Sequence, residues 1–570
     1  MTRHTPPLLK YFFILVLCLS YACKEESSPD LPERKKVEKP EAIEIRKAKR
    51  IAQALQFAFQ NNGRINDTLL LKLDSIIDKV YIDNQYHPFW SKDESFLPLA
   101  DSLINFVENC KVYGLFPSDY HNKSIHNFQQ LLKIDSVAMK DDVLWSSADL
   151  LLTDAFLLVG KHLKQGRLKY DSVTLRTDTL LVDSFYTKLF SDLKSSGNLL
   201  QVFQNLEPRH RAYDSLKTGL KFFLDSIQQF KRYTQIIYPN KDSISLGKQI
   251  QKRLFEDDLV LSSTDKIDSA SWRTAISNYQ KSNGLKVTGK INENTINSLN
   301  NTDWEKFKRI AINLDRYKLL PDTMPDRYVW VNIPSYSMKL IESDSVIFSS
   351  RVVVGKPATR TPLLTSRITD MITYPQWTIP NSIVVKEVLP GAKKSASYFS
   401  RRGYSLINDS GDEIDPYTVD WNRYTKGIPY KVVQGSGDAN ALGILKFNFN
   451  NKYSVYLHDT NQRYLFKNAN RSLSHGCVRV QEWHKLAQYL INIDSIRMKP
   501  VENANFIGSD SLNAWLRRKE KHYLPVRSRL PVFIRYFSCE VSNGKVKFFE
   551  DIYGEDKILR QKYFADKSIQ

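Results

Sequence analysis

Cysteine is scarce in this sequence, with 5 cysteines among 570 residues. Cys18 and Cys23 belong to the N-terminal segment, so Cys110, Cys477 and Cys539 are left for the rest of the chain. In an oxidising compartment an odd number leaves at least one free thiol, unless two chains are cross-linked. We expect Cys110 and Cys539 to be small buried residues, whereas the surroundings of Cys477 indicate chemistry.

The N-terminal segment also lacks an apolar run long enough to remain as a transmembrane helix. The run 11–19 follows Arg3 and Lys10 and is short, which is typical of a targeting segment that is removed. Ala22 directly before Cys23 resembles a bacterial lipoprotein cleavage site. The resemblance implies loss of residues 1–22 and lipidation of Cys23, whereas an ordinary cleaved secretory signal remains the alternative, since Ser20 stands where such sites usually carry Leu.

The segment after the predicted cleavage site has too few apolar residues to pack. Residues 23–50 are rich in Lys, Glu and Pro, so we expect a solvated tether. Together with the lipoprotein resemblance, this implies that the protein is a periplasm-facing lipoprotein of the cell envelope, anchored in the outer membrane. Lys24-Glu25-Glu26 resembles an acidic surface-export tag, which leaves exposure on the cell surface open.

Acidic residues are outnumbered by basic ones, with 62 Asp and Glu against 82 Lys and Arg, a formal charge of +20. Such a charge favours polyanionic partners. An exported protein is not expected to meet nucleic acid, so anionic wall polymers or lipid headgroups suit this charge better. A solvated basic surface explains it equally well.

The length exceeds that of a single hydrophobic core and predicts several domains. Residues 51–240 are expected to form a mainly helical domain, and residues 241–302 a compact unit of short helices with glycine turns at Asn283-Gly284 and Thr288-Gly289. From residue 326 to 500 the apolar period becomes two, which predicts a mainly β domain. The predicted fold class is therefore multidomain α+β.

Two segments of the β region lack strong periodicity. Residues 391–432 are polar and rich in Gly, Asp, Arg and Tyr, which is typical of a functional lid or a disordered insert. Residues 501–570 are expected to form a C-terminal extension that packs on the catalytic and helical domains.

A histidine and a cysteine with polar neighbours carry the strongest chemical signal. Tyr456-Leu457-His458-Asp459 ends a predicted strand, and Ser474-His475-Gly476-Cys477-Val478-Arg479 follows a polar loop. A cysteine attacks carbonyl groups as its thiolate, so it needs a base or a positive environment and partial exposure. His458 can supply the base. Gly476 leaves backbone N–H groups free to face a developing oxyanion.

A helical spacing that begins at Trp483 adds a further expectation. It predicts that Cys477 lies shortly before a helix N-terminus, whose partial positive charge would favour the thiolate. A histidine at a strand end can also be purely structural, and His458, Asp459, His475 and Cys477 are all residue types that bind zinc. Their spacing fits no closed zinc pattern, so we predict no metal and no dissociable cofactor.

The same strings resemble the catalytic signature of the L,D-transpeptidases, the YkuD type. The flanking segments that share this resemblance are Val331-Asn332-Ile333-Pro334, Gly355-Lys356 with Thr361-Pro362, 375–380, and Asn440-Ala441-Leu442-Gly443 with Lys446-Phe447. Residues 113–120, 206–210 and 551–556 resemble the scaffold-bearing large members, and 279–285 resembles the three-helix peptidoglycan-binding module. That module can also be a spacer that no longer binds sugar.

The resemblance implies a two-step acyl transfer on stem tetrapeptides of peptidoglycan. Cys477 would attack the carbonyl of the third stem residue and expel D-alanine, and an amine of a neighbouring stem would then form a 3→3 cross-link. His458 is implied as the base, and the backbone carbonyl of Asp459 as the group that orients it. The implied oxyanion donors are the N–H groups of Gly476 and Cys477, with the Tyr456 hydroxyl.

Other residues receive supporting roles from the same resemblance. His475 and Ser474 would shape the loop, Arg479 would steer stem carboxylates, and Trp377 would line the cleft. The insert would act as a mobile cap, and carbapenem-type inhibitors would acylate Cys477.

Several alternatives stay open at this point. Transfer to water would make the protein an L,D-carboxypeptidase, and transfer to a protein lysine would make it an attachment enzyme. A non-catalytic anchor that binds peptidoglycan through residues 241–302 is a third possibility. A papain-like peptidase is disfavoured, because that class places its cysteine before its histidine in the chain.

Overall fold

The structure is a computed structural model that describes residues 42–169, 181–265, 268–498 and 508–567. The predicted signal peptide, Cys23 and residues 24–41 of the predicted tether lie outside the described residues. The end of the predicted tether is helical instead, because the first helix begins at Ile43 and buries Lys47 and Ile51 in the helical domain. The N-terminal part of the described chain is helical as predicted. Its helices are Ile43–Gln60, Asp74–Ile82, Pro98–Asn109, Asn122–Ile134, Asp142–Lys164, Asp183–Ser196, Leu199–Gln204 and Arg211–Asp225.

The helix Asp142–Lys164 is the centre of this domain. The Asp141 side chain caps it by accepting from the backbone N–H groups of Val143 and Leu144 at 2.8 and 3.2 Å. Among the described residues only this helix is long and apolar enough to span a membrane, and 89% of its most apolar window is buried inside the protein. Its apolar faces therefore form the core on which the other helices pack.

A small unit of helices follows. Ser243–Glu256, Ser269–Ser282 and Glu293–Asn300 enclose a core that includes Ile250 and Ile276. The next helix, Asp303–Tyr317, leads into the β domain and is buried between it and the helical domain.

The β domain is built on strands whose pairings close into a ring. In spatial order the ring runs Leu445–Phe449, Leu457–His458, Val478–Val480, Ser345–Gly355, Ser337–Glu342, Arg327–Asn332, Pro531–Arg535 and Leu364–Thr373, which pairs again with Leu445–Phe449. Tyr523–Pro525 pairs with Leu364–Thr373, and Ser472–Ser474 with Ser345–Gly355. The inward residues of these strands form one continuous apolar core with the helix Trp483–Met498.

The C-terminal segment is part of this core. Pro531–Arg535 lies between Arg327–Asn332, to which it runs parallel, and Leu364–Thr373. Val532, Phe533 and Ile534 are all buried, as expected for an interior strand. The segment thus supplies strands to the sheet in addition to packing on its surface. The remaining elements there are Ser509–Arg518, Cys539–Ser542, Lys545–Phe548 and Glu555–Tyr563.

The insert is folded, which excludes the alternative of a disordered segment. It comprises residues 377–434, wider than the predicted 391–432, and contains a four-stranded sheet of its own. The strands of that sheet are Trp377–Thr378, Lys431–Gln434, Tyr404–Ile407 and Glu413–Ile414, in spatial order. Its core includes Phe399, Trp421 and Val432, which come from distant parts of the insert. A core assembled in this way leaves no regular period in the sequence.

We expect this core to hold the insert as a separate cooperative unit. Trp421 is 6% exposed and stacks on Phe399 at a centroid distance of 5.1 Å. Trp421→Ala should destabilise the insert by about 3–5 kcal/mol through the cavity that it leaves. Hydrogen exchange should then accelerate in 395–434 while Arg327–Asn332 stays protected. Tyr417→Ala, at a side chain that is 67% exposed, is the control. Equal loss of protection in both regions would contradict a separate unit.

Candidate active site

Strand register brings the predicted histidine and cysteine to one face of the sheet. Leu457–His458 runs parallel to Val478–Val480, with Leu457 opposite Val478 and His458 opposite Arg479. Leu457 and Val478 are fully buried in the core. Because side chains alternate along strands, Tyr456, His458, Cys477 and Arg479 must point to the opposite face. The ladder bond from the N–H of Val478 to the Tyr456 carbonyl, 3.1 Å, carries this register back to Cys477.

The side chains of this face open into a cavity of about 280 Å³. All of the predicted cleft residues line it: Trp377, Tyr456, His458, Ser474, His475, Cys477 and Arg479. Asp459 and Gly476 lie behind the lining. A larger cavity of about 720 Å³ lies elsewhere, and the described residues around it include no cysteine, histidine or serine. The smaller cavity is therefore the candidate active site.

The Cys477 thiol is partly exposed and in contact with polar groups. Its Sγ lies 3.9 Å from the Ser454 carbonyl oxygen, and the Tyr456 hydroxyl hydrogen-bonds to it. Withdrawal from water raises the pKa of this thiol above its usual value of 9.0. The bonds from Tyr456 and the charges of Lys446 and Arg479 act in the opposite direction but do not outweigh burial. At neutral pH the resting Cys477 side chain is therefore a thiol.

The expected help from a helix N-terminus is not found. The strand Val478–Val480 separates Cys477 from the helix, which begins at Trp483. The field of a helix falls off within its first turn, so it adds little at the sulfur. Helical spacing after Trp483 was visible in the sequence, but a three-residue strand in front of it was not.

His458 is buried and available as a base. Burial, followed by the charge of Arg479, lowers the pKa of its imidazole to about 3, although backbone groups of Asp459 and Leu442 raise it in part. The ring is thus neutral at physiological pH and can accept a proton. Its Nδ1 has no hydrogen bond of standard geometry within the described chain. The Asp459 carboxylate points away, accepting from the Ile444 N–H and from Arg463, each at 3.1 Å.

Lys446 is a site residue to which the sequence had suggested no role. It lies opposite His458 on the neighbouring strand Leu445–Phe449, and its Nζ is 4.0 Å from the centre of the Tyr456 ring. Burial lowers the pKa of its ammonium group, and the Cys477 charge raises it. Lys446 belongs to one of the flanking strings that carry the family resemblance, but that resemblance implied no role for it.

The loop of residues 474–477, called the nucleophile loop after the predicted role of Cys477, is held in a conformation that requires glycine. Gly476 has φ +125°, a region that residues with a side chain rarely adopt. The Ser474 hydroxyl donates to the Cys477 carbonyl at 2.6 Å and accepts from the Gly476 N–H at 3.1 Å. The Gly476 N–H is therefore already engaged, contrary to its predicted role as an oxyanion donor. The Cys477 N–H remains as a donor for a substrate oxyanion, and the Tyr456 hydroxyl can join it once its bond to the sulfur is broken.

The remaining predicted residues make contacts at the rim. Imidazole Nε2 of His475 lies 2.5 Å from Glu387 Oε1, so the nucleophile loop contacts the insert. Arg479 donates to the Gln462 side chain at 2.9 Å, while its Nε is buried without a partner in the described chain. The Trp377 indole N–H has no hydrogen bond of standard geometry among the described residues, but it faces the Tyr456 hydroxyl.

The other two described cysteines are shielded from solvent. Cys110 and Cys539 are fully buried, and burial raises the pKa of each thiol. Within the described ranges, no group of three or more His, Cys, Asp and Glu side chains could hold a metal ion. Reactivity is thus expected at Cys477 alone among these three cysteines.

Comparison with known proteins identifies the domains. Residues 326–497 match the model of the L,D-transpeptidase catalytic domain. Residues 75–220 match that of a scaffold domain, and residues 248–299 that of a "Putative peptidoglycan binding domain". The chain therefore carries the L,D-transpeptidase catalytic domain on a scaffold-bearing α+β architecture, which confirms the family resemblance and the fold class predicted from the sequence.

One curated relative agrees with the domain match. A curated protein of Haemophilus influenzae, "Putative L,D-transpeptidase", is 34% identical over 250 residues, which are 44% of this chain. The chain spans 48% of the length of that relative. A crystal structure of an L,D-transpeptidase from Xylanimonas cellulosilytica shares 12% identity at a TM-score of 0.13, covering 54% of this chain and 98% of that one. An Enterococcus faecium L,D-transpeptidase mutant shares 10% at 0.14, covering 48% and 86%. Scores this low support no further conclusion.

The neutral thiol and neutral imidazole predict a characteristic pH dependence. Alkylation of Cys477 by iodoacetamide should accelerate about tenfold per pH unit between about pH 6 and pH 9, because the thiolate fraction rises that way below the thiol pKa. Peptide mass spectrometry after timed quenching measures it, and Cys110 and Cys539 should stay unlabelled as internal controls. A rate plateau below pH 7 would show a preformed thiolate–imidazolium pair and contradict this account.

Proposed function

We propose that the protein is an L,D-transpeptidase that forms 3→3 cross-links between stem peptides in cell wall biogenesis. The observation that carries the proposal is the placement of His458, on the strand Leu457–His458, and of Cys477, directly before the parallel strand Val478–Val480, so that both line one cavity. The matched catalytic domain supports a transpeptidase role in the wall. Cross-link type, nucleophile and substrate belong to the proposal.

In the first step the donor stem acylates Cys477. The thiol proton moves to the neutral His458 imidazole as sulfur attacks the carbonyl carbon of the third stem residue. The resulting oxyanion accepts from the Cys477 N–H and the Tyr456 hydroxyl. One such donor contributes about 3–4 kcal/mol to transition-state stabilisation. The imidazolium then returns the proton to the amine of the departing D-alanine, leaving a thioester.

In the second step an amine of a neighbouring stem resolves the thioester. His458 accepts the amine proton, and the thiol is regenerated when the amide bond forms. Lys446 and Arg479 place positive charge around a sulfur that becomes anionic during each step. These charges favour the transition state while burial keeps the resting thiol protonated.

The choice of acceptor distinguishes this function from its alternatives. Transfer to water would give an L,D-carboxypeptidase, and transfer to a protein lysine an attachment enzyme. We favour a stem amine, because the insert contacts the nucleophile loop through Glu387 and His475 and so restricts the cavity from one side. A restricted cavity favours a bound amine over bulk water.

The other domains suggest how the protein reaches its substrate. The peptidoglycan-binding domain match supports retention on glycan near the stems. A lipid on Cys23 would tether the enzyme to the outer membrane, facing the periplasm. Carbapenem-type inhibitors are proposed to acylate the same sulfur, because their strained carbonyl resembles the donor carbonyl.

Product masses test this function directly. The purified protein incubated with disaccharide tetrapeptide should give a dimer that lacks one D-alanine. Cys477→Ala should reduce this by about a thousandfold or more, and His458→Gln by roughly 10²–10⁴-fold through loss of the base. Chelator should leave turnover unchanged.

The control variant is His126→Gln, at a histidine on the surface of the helical domain whose side chain is 49% exposed. Tripeptide as the sole product would instead show a carboxypeptidase. Full activity of the Cys477→Ala protein would rule out the proposed nucleophile.

A further inference from the structure

A loop on the far side of the nucleophile holds the peptide bonds around Cys477. This support loop, residues 355–361, follows the strand Ser345–Gly355. The Lys356 N–H and the Thr359 hydroxyl both donate to the Ser474 carbonyl, at 2.9 and 3.0 Å. Thr361 Oγ1 donates to the Gly476 carbonyl at 2.7 Å. The support loop thus donates three hydrogen bonds to carbonyl groups of the nucleophile loop.

Thr361 has one possible use for its hydroxyl proton. The side chain is 2% exposed, and its oxygen already accepts from the Gly355 N–H at 2.9 Å. The proton is therefore committed to the Gly476 carbonyl. In a trans peptide that carbonyl and the N–H of the next residue lie in one plane and point in opposite directions. Anchoring the Gly476 oxygen consequently sets the direction of the Cys477 N–H.

Tyr553 of the C-terminal segment closes the support loop. Its hydroxyl donates to the Gly355 carbonyl at 2.7 Å and accepts from the Thr361 N–H at 3.1 Å. One phenol thereby joins the two ends of the loop. The backbone of the loop is tightly packed at its start, because a Cβ on Gly355 would lie 2.1 Å from the Thr359 carbonyl oxygen. Tyr553 is itself fixed, since its N–H donates to the Tyr536 hydroxyl at 3.1 Å.

From this chain of bonds we propose that Thr361, and Tyr553 through it, are positioning residues for the oxyanion hole. They aim the Cys477 N–H at the point where the substrate oxygen acquires charge. Neither lines the cavity, so neither is expected to touch substrate. The inference rests on the proposed acyl transfer and assigns the C-terminal segment a part in it.

Thr361→Val and Thr361→Ser form a matched pair for testing this. Valine keeps the shape but removes the hydroxyl, whereas serine keeps the bond to Gly476. Two reactions at the same sulfur are compared in the full-length protein. Acylation by a carbapenem builds an oxyanion and needs the aimed N–H. Alkylation by iodoacetamide displaces iodide from carbon, builds no oxyanion, and reports only the thiol.

We expect Thr361→Val to slow acylation by roughly tenfold to hundredfold, the scale for small misplacements of a catalytic group. The alkylation rate and its pH profile should match those of the wild type, and Thr361→Ser should restore acylation. Tyr553→Phe should act in the same direction with a smaller effect, because Thr361 keeps its own hydroxyl. Tyr523→Phe, at a side chain that is 63% exposed, is the control.

The outcomes separate this inference from the proposed function. Wild-type acylation rates in Thr361→Val would overturn the positioning role, and so would an equal loss of acylation and alkylation, which indicates general distortion. A wild-type protein that is alkylated but neither acylated nor able to use tetrapeptide would refute the proposed function, and this inference with it.

Discussion

The arrangement of the site depends on the parallel pairing of two very short strands, Leu457–His458 and Val478–Val480. The side chains of Leu457 and Val478 are buried in the core, so the residues next to them along the chain must point to the opposite face, toward the cavity. A shift by one residue would bury the imidazole and the thiol among apolar side chains and expose Leu457 and Val478. The core therefore enforces the catalytic geometry through Leu457 and Val478, which take no part in the chemistry.

The same surroundings set the protonation of the pair. Burial is the largest influence on both Cys477 and His458, and it acts against charge in each case. A pair that stays neutral at rest becomes charged only when sulfur attacks, at the moment when Lys446, Arg479 and the oxyanion donors can respond. Positive side chains that are insufficient to ionise the resting thiol can still stabilise the transition state. The free protein is thus expected to react slowly, whereas the complex with substrate is expected to be reactive.

How much of this was predictable depends on sequence distance. The histidine, the cysteine and their neighbours lie within short strings, and alternation along strands was enough to relate them. The hydrogen bonds of the support loop could not be predicted in this way, because Thr361 and Tyr553 meet across 192 positions. The strings that contain these two residues indicated the family without relating one to the other. The contact of Lys446 with Tyr456 could not be predicted for a similar reason, since it follows from strand pairing.

Two errors had physical causes of the same kind. The apolar spacing predicts the helix that begins at Trp483, but the short strand Val478–Val480 lies between Cys477 and the N-terminus of that helix. The insert gave no period, because Phe399, Trp421 and Val432 reach its core from separate elements. Local pattern therefore located the chemistry, whereas non-local packing determined its electrostatics and support.

The central claim is that the donor stem becomes covalently attached to Cys477. Rapid acid quenching of the protein during turnover of a tetrapeptide donor, followed by intact and peptide mass spectrometry, measures this directly. The account predicts an adduct equal to the donor minus one alanine, located on the peptide that contains Cys477. Product formation with no such adduct, or with an adduct on another residue, would contradict it.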